Sequence, residues 1–108
     1  LARHSLKGSK IIQSLLKSGK GRRSGHLILY HQRLPEFAND YAGAYLIPKS
    51  AGTAVERNRL KRWLREDFRL LQKEHPIYGA FIVRFSGTAA EVVHGDLSES
   101  LKKLMESI

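Results

Sequence analysis

Five cations stand close together in the middle of this chain: Arg57, Arg59, Lys61, Arg62 and Arg65, with Asn58 among them and Leu60, Trp63 and Leu64 spaced between. A disordered basic tail would lack that apolar spacing. Cations on one face of a folded element, with an apolar face behind them, hold nucleic-acid phosphates rigidly. The chemistry these residue types offer is phosphate capture.

Residues able to make or break bonds are scattered. The histidines are His4, His26, His31, His75 and His94. His26 and His31 lie five apart in a strand-like stretch, so they face opposite ways and make a poor metal pair. No HExxH, phosphate-binding P-loop or GxGxxG pattern occurs. Glu66 and Asp67 are adjacent on a helix and cannot face each other, so they read as tempering the basic surface. No catalytic residue and no metal ligand is assigned. A nuclease whose groups meet only in the fold stays open as an alternative.

The element that must position the cations is a helix over residues 54–73. At about 100° per residue, with Arg57 at zero, Asn58, Lys61, Arg62, Arg65 and Arg69 share an arc of roughly 140°. Leu60, Trp63, Leu64, Leu70 and Leu71 fall opposite, Phe68 sits at the border, and Arg59 and Glu66 flank the arc. Thr53 and Glu56 have the spacing of a capping box, so the cationic cluster begins in the first turn. Positive charge there opposes the helix dipole, which argues for a use beyond stability.

The remaining pattern is that of a single α+β domain over residues 1–108. Ser9 caps a first helix over 10–17 with an Ile11, Ile12, Leu15, Leu16 stripe. Residues 18–25 read as a flexible basic loop. Strands are expected over 26–33 and 41–47, paired antiparallel through a loop at 34–40. His75-Pro76 ends the long helix, and 78–85 is a further strand. Residues 88–95 read as irregular, and an Asp96/Glu99 capping box opens a last helix over 97–107, with Leu97, Leu101, Leu104 and Met105 facing inward.

Charge supports a polyanionic partner. The chain of 108 residues carries net charge +9, and its 42% hydrophobic content suffices for one modest core. Residues 1–33 hold eight Lys or Arg and no acid, 57–73 hold seven basic and two acidic residues, and 74–108 hold three and five. Two separated basic regions imply two contact surfaces or one composite surface. The absence of cysteine fits a reducing cytoplasm, and no apolar run approaches a membrane span or a signal peptide. Single-stranded RNA is favoured if Tyr30, Phe37 or Tyr41 offers a stacking platform, although aromatics more often fill a core.

The stretch from Ala54 through Arg57-Asn58-Arg59-Leu60-Lys61-Arg62 to Arg65-Glu66 resembles the RNR signature of the protein subunits of bacterial ribonuclease P. The resemblance covers nearly the whole chain: Ser5-Leu6 through Lys17-Ser18-Gly19, the first strand at Leu27-Ile28-Leu29-Tyr30, and Lys49-Ser50-Ala51-Gly52 before the motif. It implies an αβββαβα domain, helices packed on a small mixed sheet, with a left-handed βαβ crossover. It also implies a holoenzyme that removes the 5′ leader of precursor tRNA by Mg²⁺-dependent hydrolysis. The catalytic centre and the Mg²⁺ would belong to the RNA subunit, and the partners would be that RNA and precursor tRNA, with no membrane and no protein partner.

By the same resemblance, Arg57, Asn58, Arg59, Lys61, Arg62 and Arg65 contact RNA, and Arg69 is expected to join them from its place on the cationic arc. Ile12, Leu16, Tyr30 and Lys49 line a leader cleft, and Lys17, Lys20, Arg22 and Arg23 add phosphate contacts. Ile12 and Leu16 stand where the family has aromatics, so they pack on a base but stack less well. Ser50 and Ser5 replace a Lys and an Arg. The alternative from another class is a structural, ribosomal-type RNA-binding protein with no part in cleavage. On the phosphate-contact reading, Arg57→Ala and Lys61→Ala each lower the salt slope of RNA binding by about 0.7–0.9.

Overall fold

The run Ala80-Phe81-Ile82-Val83 is apolar at every position, the pattern of a strand covered on both faces. That strand is central. The computed structural model describes residues 3–5, 9–17 and 21–108. In chain order the elements are β1 (Arg3–Ser5), α1 (Ser9–Lys17), β2 (Arg22–Ser24), β3 (Leu27–Gln32), β4 (Tyr41–Leu46), α2 (Ala54–Glu74), β5 (Gly79–Phe85) and α3 (His94–Glu106). Single 3-10 turns occur at Pro35–Phe37, Lys49–Ala51 and Ala89–Glu91. After the short β1, the order is the expected αβββαβα.

The sheet order is β1-β4-β5-β3-β2. β5 runs antiparallel to β3 and parallel to β4, and β1 runs parallel to β4. The expectation that β3 and β4 pair is corrected: β5 lies between them. The connection through residues 33–40 is too long for a tight hairpin, and the apolar β5 takes the only position that buries both its faces. β4, α2 and β5 form a βαβ crossover unit between adjacent parallel strands.

Two apolar layers result. Leu27 and Leu29 of β3 and Phe81, Val83 and Phe85 of β5 face α2 and α3, which contribute Leu60, Leu64, Phe68, Leu97, Leu101, Leu104 and Met105. Ala42, Ala80 and Ile82 face the other way and meet Leu15 of α1. The Phe68 and Phe81 rings stack at 4.1 Å between centroids. Tyr41, half-buried, packs against both, at 5.3 and 5.9 Å, so its ring is engaged with the core.

Two further boundaries differ from expectation. Residues 22–24 of the supposed loop form β2, whose Ser24 registers with Leu27 across a Gly25-His26 turn. Gly25 has φ +57°, the sign that a two-residue hairpin loop with glycine first requires. The last helix starts at His94, with Val93 as its N-cap and no side-chain cap, so the Asp96/Glu99 capping box does not form. Asp96 already lies in the first turn, and its N–H donates to the Val93 carbonyl.

Candidate nucleic-acid interface

The cationic helix begins as its sequence dictates. The Thr53 hydroxyl accepts from the Glu56 N–H at 3.2 Å, and the Glu56 carboxylate accepts from the Thr53 N–H at 2.9 Å. These bonds to Thr53 hold the Glu56 carboxyl below its usual range, with a smaller contribution from Arg59. At the far end, the His75 N–H donates to the Leu71 carbonyl. The Gln72 amide then donates to the Ile77 carbonyl and accepts from the Ile77 N–H, carrying the chain past Pro76 into β5.

The faces of α2 are rotated by roughly 40° from the wheel expected at 100° per residue. Phe68, placed at the border, is fully buried, and Leu70, placed on the apolar side, is 53% exposed. The rotation follows from the Phe68–Phe81 stack and from Asp67. Asp67 is buried and does not temper the cationic face. Its carboxylate meets His94 Nε2 at 2.9 and 3.1 Å and accepts from Ser98 Oγ at 2.7 Å. Glu66 does temper it, through an ion pair with Arg69 at 3.0 Å.

Asn58, Arg62 and Arg65 are fully on the outside. Arg57, Arg59 and Lys61 are half-buried, and the Nε groups of Arg57 and Arg59 are covered without an acceptor. The Arg59 guanidinium lies over the Trp63 ring at 5.2 Å, and the His94 ring stacks on the same Trp63 at 4.7 Å with the planes 2° apart. Sequence reasoning took Trp63 as core and gave His94 no role. The visible signal was an Arg-x-x-x-Trp spacing, which sets a cation one turn before an aromatic.

Lys61 turns toward the sheet. With Tyr45, Leu46, Ile47, Pro48 and Arg84 it lines an open recess of about 240 Å³. Burial, and secondarily Tyr41, push the Tyr45 phenol well above its ordinary range against the opposing pull of Arg65. Lys49 follows Pro48 in the chain, exposed, in the 3-10 turn before the helix.

Arg84 also belongs to the second sheet face. It registers with Leu46 of β4 and Ile28 of β3, while Ile82 registers with Ala44 and Tyr30. Ile12 and Leu16 of α1 and Tyr30, Ala44 and Leu46 of the sheet pack there, all half-buried. Three of the four cleft candidates therefore meet, and Lys49 stands apart from them. Gly21 fits against Tyr30: a Cβ there would lie 2.7 and 2.9 Å from ring atoms. Arg84 was missed, although it is the one charge in an otherwise apolar strand.

The other basic candidates are less concentrated. Lys17 is exposed at the end of α1. Arg22 Nη1 donates to the Ser107 carbonyl at 2.6 Å and so closes the end of α3. Arg23 is exposed, its Nε donating to the Gly25 carbonyl. Lys20 lies outside the described residues. His26 and His31 are bound to the Ser86 and Tyr78 carbonyls. Asp67, His94 and Ser98 do not form a nucleophilic relay: both partners bind the carboxylate, and no bond links serine to imidazole. Among the described residues no three His, Cys, Asp or Glu side chains converge to hold a metal ion.

Comparison with known proteins adds the following. The family model described as Ribonuclease P matches residues 2–108. A ribonuclease P protein component of Macrococcus caseolyticus is 31% identical over 103 residues, covering 95% of this chain and 88% of that protein. One from Caldanaerobacter subterraneus is 30% identical over 103 residues, covering 94% and 85%. The fold is similar to that of the Staphylococcus aureus RNase P protein, with TM-score 0.83, 24% identity, and coverage of 96% and 94%. It is equally similar to the Thermotoga maritima protein, with TM-score 0.82, 23% identity, and 98% of each chain covered.

Proposed function

Since this chain belongs to the ribonuclease P protein family, we propose that it is the protein subunit of a ribonuclease P holoenzyme. In this reading it binds the catalytic RNA and the 5′ leader of precursor tRNA, and helps remove that leader in the cytoplasm. The observation that carries the reading is continuity. The cationic face of α2 runs through Lys61 and the recess to Arg84, and from Arg84 onto the sheet face that holds Tyr30, Ile12 and Leu16. The cationic helix and the cleft candidates Tyr30, Ile12 and Leu16 thus serve one composite surface.

Each part has its own task. Asn58, Arg62 and Arg65 stand outermost and dock on structured RNA through its phosphates. The half-buried sheet face accepts a single strand, because it combines flat apolar area with a cation at one end. Tyr30 stacks, Ile12 and Leu16 pack, and Arg84 and Lys61 hold the backbone. This chain supplies binding and orientation, which raise the rate by fixing the scissile bond relative to the RNA's reacting groups. The hydrolysis uses Mg²⁺ held through the RNA, and no step is assigned to an ion held by this chain.

Precursor-tRNA cleavage at low Mg²⁺ tests the proposal, using this protein alone, ribonuclease P RNA from the same organism alone, and both together. Efficient cleavage at the mature 5′ end only in the mixture supports it. Cleavage by the protein alone would place the chemistry in this chain. A series of leader lengths separates the subunit from a structural RNA binder: only a leader-binding subunit gains affinity as the leader lengthens across the cleft.

A further inference from the structure

The column Arg59–Trp63–His94 is held more firmly than an RNA-facing helix alone requires. His94 lies flat on Trp63, its Nε2 is fixed on the buried Asp67 carboxylate, and Ser98 fixes that carboxylate from the other side. The His94 side chain is nevertheless 43% exposed. With one face on Trp63 and one edge on Asp67, the exposure falls to its opposite face and its remaining edge.

We propose that this face is a stacking site for one unpaired RNA base, with the cations of α2 taking the phosphates of the neighbouring nucleotides. The RNA surface then continues from α2 onto the start of α3. The proposal rests on α2 being an RNA-contacting helix. A base is the fitting ligand for two reasons. A ring already immobilised by stacking and hydrogen bonding loses little freedom when a second flat ring settles on it. Second, on the α2 side Arg59 is half-buried and Arg62 exposed, and the exposed acid Glu66 is paired with Arg69. Asp96, in the first turn of α3 with His94, and Glu99 after it are exposed; they repel phosphate and so orient the backbone toward α2. The base must be unpaired, because a duplex presents no base face.

The test is the affinity of the full-length protein for ribonuclease P RNA from the same organism, with Arg62→Ala, His94→Ala and His94→Phe variants. Arg62→Ala is expected to weaken binding and lower its salt slope. His94→Ala is expected to weaken binding about tenfold, the scale of one lost base stack, and His94→Phe, which keeps a flat face, to stay within about twofold of the parent. Weak binding by Arg62→Ala with parental binding by His94→Ala overturns the stacking site and leaves α2 as the contact. Parental binding by both overturns the premise as well. Equal loss in His94→Ala and His94→Phe also overturns stacking. Trp63, the only tryptophan, gives a readout on the unmodified protein: its emission is expected to be quenched at saturating RNA, and unchanged emission refutes the site even if His94→Ala fails to fold.

Discussion

Leu46 of β4 and Arg84 of β5 are registered neighbours on the sheet, and both line the recess that Lys61 of α2 closes. Helix surface and sheet surface therefore meet at one corner of the molecule. Arg84→Ala is expected to reduce affinity for precursor tRNA with a long leader while leaving binding of mature tRNA unchanged. The salt slope should fall by about 0.7, one single-stranded phosphate contact. Equal losses with and without the leader would remove Arg84 from the leader path.

Arg62 and Arg65 are exposed and make no bond the fold needs. Replacing each by alanine is expected to lower affinity for ribonuclease P RNA and its salt slope by about 0.9 per duplex phosphate contact. Thermal unfolding should move little, since exposed helical substitutions usually shift stability by no more than ~0.5 kcal/mol. Arg57→Ala should move both, because the Arg57 stem is half-buried.

Gly21→Ala is expected to displace Tyr30, since the new Cβ would fall 2.7 Å from a ring atom at the free end of that side chain. Near-UV dichroism should change, leader discrimination should drop, and stability should hold. Unaltered leader discrimination with a shifted ring would show that Tyr30 is not a leader contact.

Gly43→Ala should act on the fold instead. A Cβ at Gly43 would enter the Phe81 ring, which cannot retreat because Phe68 is stacked on it at 4.1 Å. Overpacking of this kind costs about 1–3 kcal/mol, and a chemical denaturation midpoint measures it.

The cap of α2 carries an acid-sensitive contribution. Glu56 has its carboxyl held down by bonds to Thr53. Folding therefore gains from the charged form above the unfolded-state value, and the gain is lost as pH falls through the lower folded-state value. Glu56→Gln should flatten that acid limb of a thermal-unfolding series. Thr53→Ala should cost about 1 kcal/mol at neutral pH. An acid limb of unchanged slope in Glu56→Gln would mean that the carboxylate's bonds do not contribute.

Local signals in the sequence were enough to place α1, α2, β3, β4 and β5, because each has a strong period or an unbroken apolar run. The capping box at Thr53 and the stop at His75-Pro76 were legible for the same reason. Strand pairing was not. Whether β3 meets β4 or β5 depends on which strand must bury two faces, and that is settled by all three together. Asp67 was misplaced because a helical wheel shows direction and not partners: its carboxylate is satisfied by His94 and Ser98, 27 and 31 residues away. Arg84 and His94 were passed over, and Trp63 was read only as an apolar-face residue, because each becomes informative only beside a neighbour from another element.

The strand order has a consequence for synthesis. β5 is the last strand in the chain and the middle one in the sheet. Until residues 79–85 leave the ribosome, the sheet can exist only as two separate fragments, the β2–β3 hairpin and the β1–β4 pair. α2 emerges before the residues of β5 and α3 that complete the burial of its apolar face, Phe81 and Leu97 among them. The nascent chain thus carries its strongest polycation while the surface meant to discipline it is incomplete, and assembly with RNA has to wait for a late, long-range closure.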